Sequence, residues 1–181
     1  MIFRAIELAT KAHSGQYRKG TKIPYITHPL NVAKILIQLE CSESVIVAGI
    51  LHDTLEDTRV TFDEIQEAFG KEIADLVNMV SEPNKSDMIW ENRKAHTLKQ
   101  LRVASADQLV LSLADKLDNI RAILEDNDKI GDALWKRFNR PKEKQKWYYE
   151  NLAIVFSERL TGKKYLPLVE DFKANVRSVF G

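Results

Sequence analysis

Apolar side chains recur at spacings of three and four residues along most of the chain. No stretch sustains the period-two alternation of a half-buried strand. Ile2, Ala5, Ile6 and Ala9 open the pattern. Ser14 to Thr27, broken by Gly15, Gly20 and Pro24, reads as a loop. Pro29 suits the first turn of a second helix that runs to about Glu40. Ser42 caps a third helix through about Thr54, with Val45, Ala48, Gly49 and His52 on one face. Thr61 and Glu64 match a capping box, and Gly70 suits the end of that short helix. Ile73, Leu76, Val77 and Val80 form the next stripe.

The polar stretch Ser81 to Asp87, with Pro83, reads as a loop, and a helix is expected over Met88 to Val103. Ser105 and Gln108 make a second capping box, opening an apolar helix from Asp107 to about Glu125. After a break at Asn127 to Gly131, a short helix near Asp132–Phe138 and a long one from Pro141 to Leu160 are expected. Gly162 can close the long one, and Leu168, Phe172, Val176 and Val179 support a terminal helix. The prediction is an all-α chain forming one domain, residues 1–181.

Composition narrows the partners. With 27 Lys and Arg against 26 Asp and Glu, the formal charge is +1, which gives no general electrostatic case for nucleic acid or a membrane surface. No apolar run approaches the roughly 20 residues of a membrane span. The start meets charge too early for a signal peptide, and the single cysteine, Cys41, has no partner for an internal disulfide. A reducing, cytoplasmic setting is expected. Nothing in the sequence sets an oligomeric state.

Chemistry concentrates in three places. His52 and Asp53 combine imidazole and carboxylate at one point of a helix, a pairing that suits a divalent ion of intermediate softness. Because His52 continues an inward face, it needs a partner: a metal or a hydrogen-bond network. Asp115 lies in a strongly apolar helix, one turn before Asn119. On spacing alone, an internal ion pair with Lys116 or Arg121 is the favoured reading. The loop Gln16-Tyr17-Arg18-Lys19-Gly20, leading through Tyr25 to His28-Pro29, offers adjacent cations for phosphates and an Arg plane for a base. A solvated basic loop and a helix-capping histidine are the plain alternatives. Glu56-Asp57, on the residues alone, is a solvated turn.

Four segments in order carry a resemblance. They are Ala12-His13-x-Gly15-Gln16-x-Arg18-Lys19, Pro24-Tyr25-Ile26-x-His28-Pro29-Leu30, His52-Asp53-Thr54-x-Glu56-Asp57-Thr58 and Leu113-Ala114-Asp115-Lys116-x-x-Asn119. Together they resemble the HD-type hydrolase domain of the RelA/SpoT alarmone family, in the stand-alone form of small alarmone hydrolases such as the metazoan SpoT homologue. The motifs cover residues 1 to about 125, and the tail matches loosely. The resemblance implies a helical HD-domain bundle with one Mn²⁺ ion held by His28, His52, Asp53 and Asp115. It implies Glu56 and Asp57 as the acidic pair that positions and deprotonates water and manages the proton on the leaving oxygen. Arg18 would stack on the purine, with Lys19 near phosphate, Asn119 at ribose or base and Tyr25 in the pocket wall. Lys144 and Tyr148 would meet the distal phosphates.

The implied reaction removes pyrophosphate from the 3′ position of (p)ppGpp, giving GDP or GTP. The partner expected is thus a small-molecule nucleotide. Two departures bear on the base. The spacing from Lys19 to Pro24 is one residue longer than in the long RelA/SpoT enzymes, and Ala122 stands where those enzymes often carry a hydroxyl. An adenine alarmone, (p)ppApp, is therefore a second candidate substrate. The chain ends at Gly181 without room for synthetase or regulatory domains, so degradation alone is expected. Two other classes remain: an HD phosphohydrolase for a 5′-nucleotide or NADPH, and a catalytically dead alarmone binder. His13 is expected as a hydrogen-bonded core histidine, His96 as a surface or supporting residue, and Trp90, Trp135 and Trp147 as packing.

Overall fold

Seven successive residues, Val45 to Leu51, are buried, so helix α3 (Glu43–Leu51) is surrounded rather than laid on a surface. It is packed by α1 (Ile2–Ala12), α2 (Thr27–Gln38) and α6 (Lys71–Val80). Those helices turn inward Ala5 and Ala9, then Val32, Ala33, Ile35 and Leu36, then Ile73, Ala74, Leu76 and Val77. Alanines on α1 and in the middle of α3 let the backbones come close. The computed structural model describes residues 1–82 and 88–181. These form two compact units, Met1–Thr97 and Leu98–Gly181.

In the first unit, the loop before α2 is tied by an isolated bridge between Tyr17 and Pro24. The Thr27 hydroxyl donates to the Pro24 carbonyl at 2.8 Å where α2 begins, which puts Pro29 in the first turn, as expected. Helix α3 stops at Leu51, before the expected Thr54. The cause is local: the Thr54 hydroxyl takes the Leu51 carbonyl at 2.6 Å, and Asp53, at φ −93° and ψ −4°, starts the short α4 (Thr54–Asp57). Helix α5 (Phe62–Phe69) carries the expected capping box at Thr61 and Glu64, and Gly70, at φ +91°, separates it from α6. The expected loop Ser81–Asp87 falls, for residues 83–87, outside the described residues.

Helix α7 (Trp90–Leu101) runs from the first unit into the second. There α8 (Ala106–Ile130) is opened by the Ser105–Gln108 capping box and extends 25 residues. It passes the break expected at Asn127, because no residue from 127 to 130 interrupts a helix. A Lys129–Glu125 pair at 2.7 Å spans the last turn, and Gly131, at φ +56°, ends it. A 3₁₀ turn (Gly131–Arg137) stands where the short helix was expected. Helices α9 (Lys142–Arg159) and α10 (Leu166–Phe180) pack with α8, and Phe156 meets Phe172 edge to face at 5.4 Å. Among the described residues the secondary structure is helical apart from the single bridge. No described helix is long and apolar enough to cross a membrane.

Candidate metal centre

Three helix ends bring three side chains to one point. His28 stands in the first turn of α2, His52 caps the C-terminus of α3, and Asp53 precedes α4. Both imidazoles are buried, at 1% and 3% exposure, and Asp53 is half-buried. The His28 and His52 Nε2 atoms lie 3.2 Å apart. Asp53 Oδ2 lies 3.1 Å from His52 Nε2 and 3.5 Å from His28 Nε2. His52 and Asp53 are neighbours in sequence whose directions would diverge on a regular helix. The turn at Asp53 is what lets both face the same point.

The donor set fits a cation. His52 Nδ1 donates to the Gly49 carbonyl at 2.9 Å, which in the neutral ring leaves Nε2 as a lone pair. A lone pair and a carboxylate oxygen at 3.1 Å repel unless positive charge lies between them. Adjacent ligands at right angles around an ion, with bonds of about 2.1 Å, lie roughly 3 Å apart, close to the three separations observed. Two imidazole nitrogens and one carboxylate oxygen suit a divalent ion of the first transition row. His28, His52 and Asp53 are therefore placed to hold a divalent metal ion.

Tyr25 supports this point from the side. Its hydroxyl donates to Asp53 Oδ2 at 2.6 Å. Burial, and then the Asp53 carboxylate, push its pKa far above the ordinary phenol value, so it remains a donor. The Tyr25 ring rests on His13 at 4.8 Å, and the Arg18 guanidinium lies over it at 5.8 Å. Lys19 is exposed on the same loop.

Glu56 and Asp57 follow Asp53 on the single turn of α4. They are half-buried rather than solvated. Glu56 Oε2 accepts from the Glu82 N–H at 3.3 Å. The Glu82 carboxylate is in turn gripped by Arg93, at 3.3 Å, and by Lys94. The Asp57 N–H donates to the Asp53 carbonyl at 2.9 Å, and the Asp57 carbonyl accepts from Gln16 Nε2 at 2.9 Å.

The remaining expected site residues lie in the second unit. Asp115 is buried at 8% exposure on α8, with Lys116 Nζ at 2.7 Å and Asn119 donating to Oδ1 at 2.6 Å. Of the two ion-pair partners weighed from the sequence, Lys116 is the one present, and Arg121 pairs with Asp171. Lys144 and Tyr148 share a face of α9, the first exposed and the second buried. Glu82, Arg93 and Lys94 carry no sequence signal, because Glu82 does not share a helix with the two cations that hold it. Gln16 stood inside a recognised motif without a role of its own.

The model of the HD domain matches residues 5–137. The chain belongs to the HD domain family. Among HD proteins, the guanosine-3′,5′-bis(diphosphate) 3′-pyrophosphohydrolase of Aquifex aeolicus is 42% identical over 125 residues, 67% of this chain and 18% of that protein. The chain thus spans about a fifth of the length of such curated relatives. The crystal structure of lmo0812 from Listeria monocytogenes EGD-e superposes with TM-score 0.77 at 37% identity, over 87% of this chain and 96% of that one. A metazoan ortholog of SpoT, described as hydrolysing ppGpp, superposes with TM-score 0.78 at 26% identity, over 97% and 93% of the two chains.

Proposed function

We propose that this HD domain is a Mn²⁺-dependent 3′-pyrophosphohydrolase of (p)ppGpp, releasing GDP or GTP and pyrophosphate. The observation that carries the reading is the junction at Asp53, where the His28–His52–Asp53 cluster runs directly into the Glu56–Asp57 turn. Relatives named for this activity support the substrate. The HD match across residues 5–137 and the superposition over 97% of the chain support treating 1–181 as one hydrolase domain. A reducing, cytoplasmic setting goes with the single, half-buried Cys41.

A divalent ion bound here supplies Lewis acidity toward the phosphoryl oxygens and lowers the pKa of water. His28, His52 and Asp53 would hold it, with Asp115 proposed as the fourth ligand. Glu56 and Asp57 orient the attacking water and accept its proton as its oxygen adds to phosphorus. The bond between that phosphorus and the ribose 3′ oxygen breaks, and the acidic pair returns a proton to the leaving oxygen. Arg18 moves from the face of Tyr25 onto the purine, and Lys19 attracts phosphate. Asn119 contacts ribose or base, while Lys144 and Tyr148 meet the distal phosphates.

The test is a substrate panel of ppGpp, pppGpp, ppApp and NADPH with Mn²⁺, with the products separated by ion-exchange chromatography. Conversion of ppGpp to GDP plus pyrophosphate is expected. Turnover of NADPH alone, or of none of the four, overturns the proposal.

A further inference from the structure

His13 ends α1 and is buried at 3% exposure, and its hydrogen-bond roles can be deduced. Gln16 Nε2 donates to the Asp57 carbonyl, which only accepts, so it is the amide nitrogen that must stand there. Gln16 Oε1, an acceptor, is then left facing His13 Nδ1 at 2.8 Å. His13 Nδ1 must carry the hydrogen, and in the neutral ring Nε2 is bare. That Nε2 is buried without a hydrogen-bond partner. An apolar side chain would fill the same space without stranding an acceptor. The contribution of the imidazole therefore lies in its other edge and in its face. The edge reaches the Asp57 backbone through Gln16. The face lies on Tyr25 at 4.8 Å and 30°, and Tyr25 holds the Asp53 carboxylate.

We propose that His13 is a positioning residue for both halves of the site: its Nδ1–H edge sets Asp57 through Gln16, and its ring face sets Asp53 through Tyr25. This rests on the function proposed above. The two halves act on different quantities. Asp57 works on the reacting water, so its loss of position lowers kcat. Asp53 holds the ion, so its loss of position lowers metal affinity.

Two substitutions separate the halves. His13→Phe keeps a ring against Tyr25 and removes the donor. His13→Asn places an amide N–H near the Nδ1 position and removes the ring face. Supporting contacts of this kind typically contribute about 10–100-fold. His13→Phe should therefore lose about that factor in kcat at saturating Mn²⁺, with Mn²⁺ affinity by calorimetry unchanged. His13→Asn should regain most of that kcat while binding Mn²⁺ more weakly. Gln16→Leu should copy the kcat loss, which keeps the test available if a His13 variant fails to fold. The ¹⁵N shifts of the His13 ring should report the Nδ1–H tautomer in the wild-type protein. Wild-type kcat in both His13→Phe and Gln16→Leu, parallel shifts of one quantity in both His13 variants, or an Nε2–H tautomer overturns the proposal. If the wild-type protein hydrolyses no alarmone, the proposed function fails. The tautomer and the metal affinities then still judge His13.

Discussion

At the residue scale, the site depends on groups that differ little in type and greatly in task. Asp53 and Asp57 are both half-buried carboxylates four residues apart, yet one carboxylate converges on two imidazoles and the other lies on the acidic turn that follows. Asp53→Ala should abolish Mn²⁺ binding, measured by calorimetry, and hydrolysis with it, because one of the proposed ligands is lost. Glu56→Gln keeps the shape and removes the charge. It should still bind the ion and should slow single turnover by about 10²–10⁴-fold, the usual contribution of a positioned acid or base. If Glu56→Gln loses the metal, Glu56 is itself a ligand and the division of roles is wrong. The inward face of Val45, Ala48 and Gly49 made His52 legible in the sequence as a residue needing a partner. The burial of Glu56 and Asp57 was not legible, since the Glu82 N–H that anchors Glu56 comes from beyond α6.

At the element scale, the ends of helices matter more than their middles. Capping boxes at Thr61 and Ser105 were readable because each is a local pattern four residues long, and both are present. The end of α3 was not readable, because it depends on the Thr54 hydroxyl turning back to Leu51. That small event places Asp53 in the site. The long reach of α8 past Asn127 was missed for the opposite reason: polar residues looked like a break but carry no helix-stopping chemistry. Thr61→Ala should lower stability by about 1 kcal/mol in denaturant titrations, as loss of an N-cap does. The Thr61 N–H and hydroxyl hold the Glu64 carboxyl below its ordinary pKa. Its contribution is therefore present above the unfolded carboxyl pKa of about 4.3 and is lost as pH falls through the lower, folded value. The stability gap between Thr61→Ala and wild type should accordingly narrow in acid. A gap independent of pH would mean that the Thr61 hydroxyl does not help to hold the Glu64 carboxylate, whose bond from the residue 61 N–H survives the substitution.

At the scale of the whole molecule, the all-α architecture was legible because the apolar period is helical along most of the chain, and it agrees with the HD domain match over residues 5–137. The order of the motifs carried the family likeness. Asp115 shows where such reading stops: spacing favoured an ion pair, the resemblance favoured a ligand, and Lys116 and Asn119 do contact it. The central claim concerns which bond the site breaks. Hydrolysis of ppGpp by the Mn²⁺-loaded protein in ¹⁸O-labelled water, read by phosphorus NMR and mass spectrometry, tests it directly. The expected result is one pyrophosphate per GDP, with the label in the pyrophosphate, none at the ribose 3′ oxygen, and no reaction in Asp53→Ala. Orthophosphate as the first product, label on the ribose, or equal turnover by Asp53→Ala would contradict it.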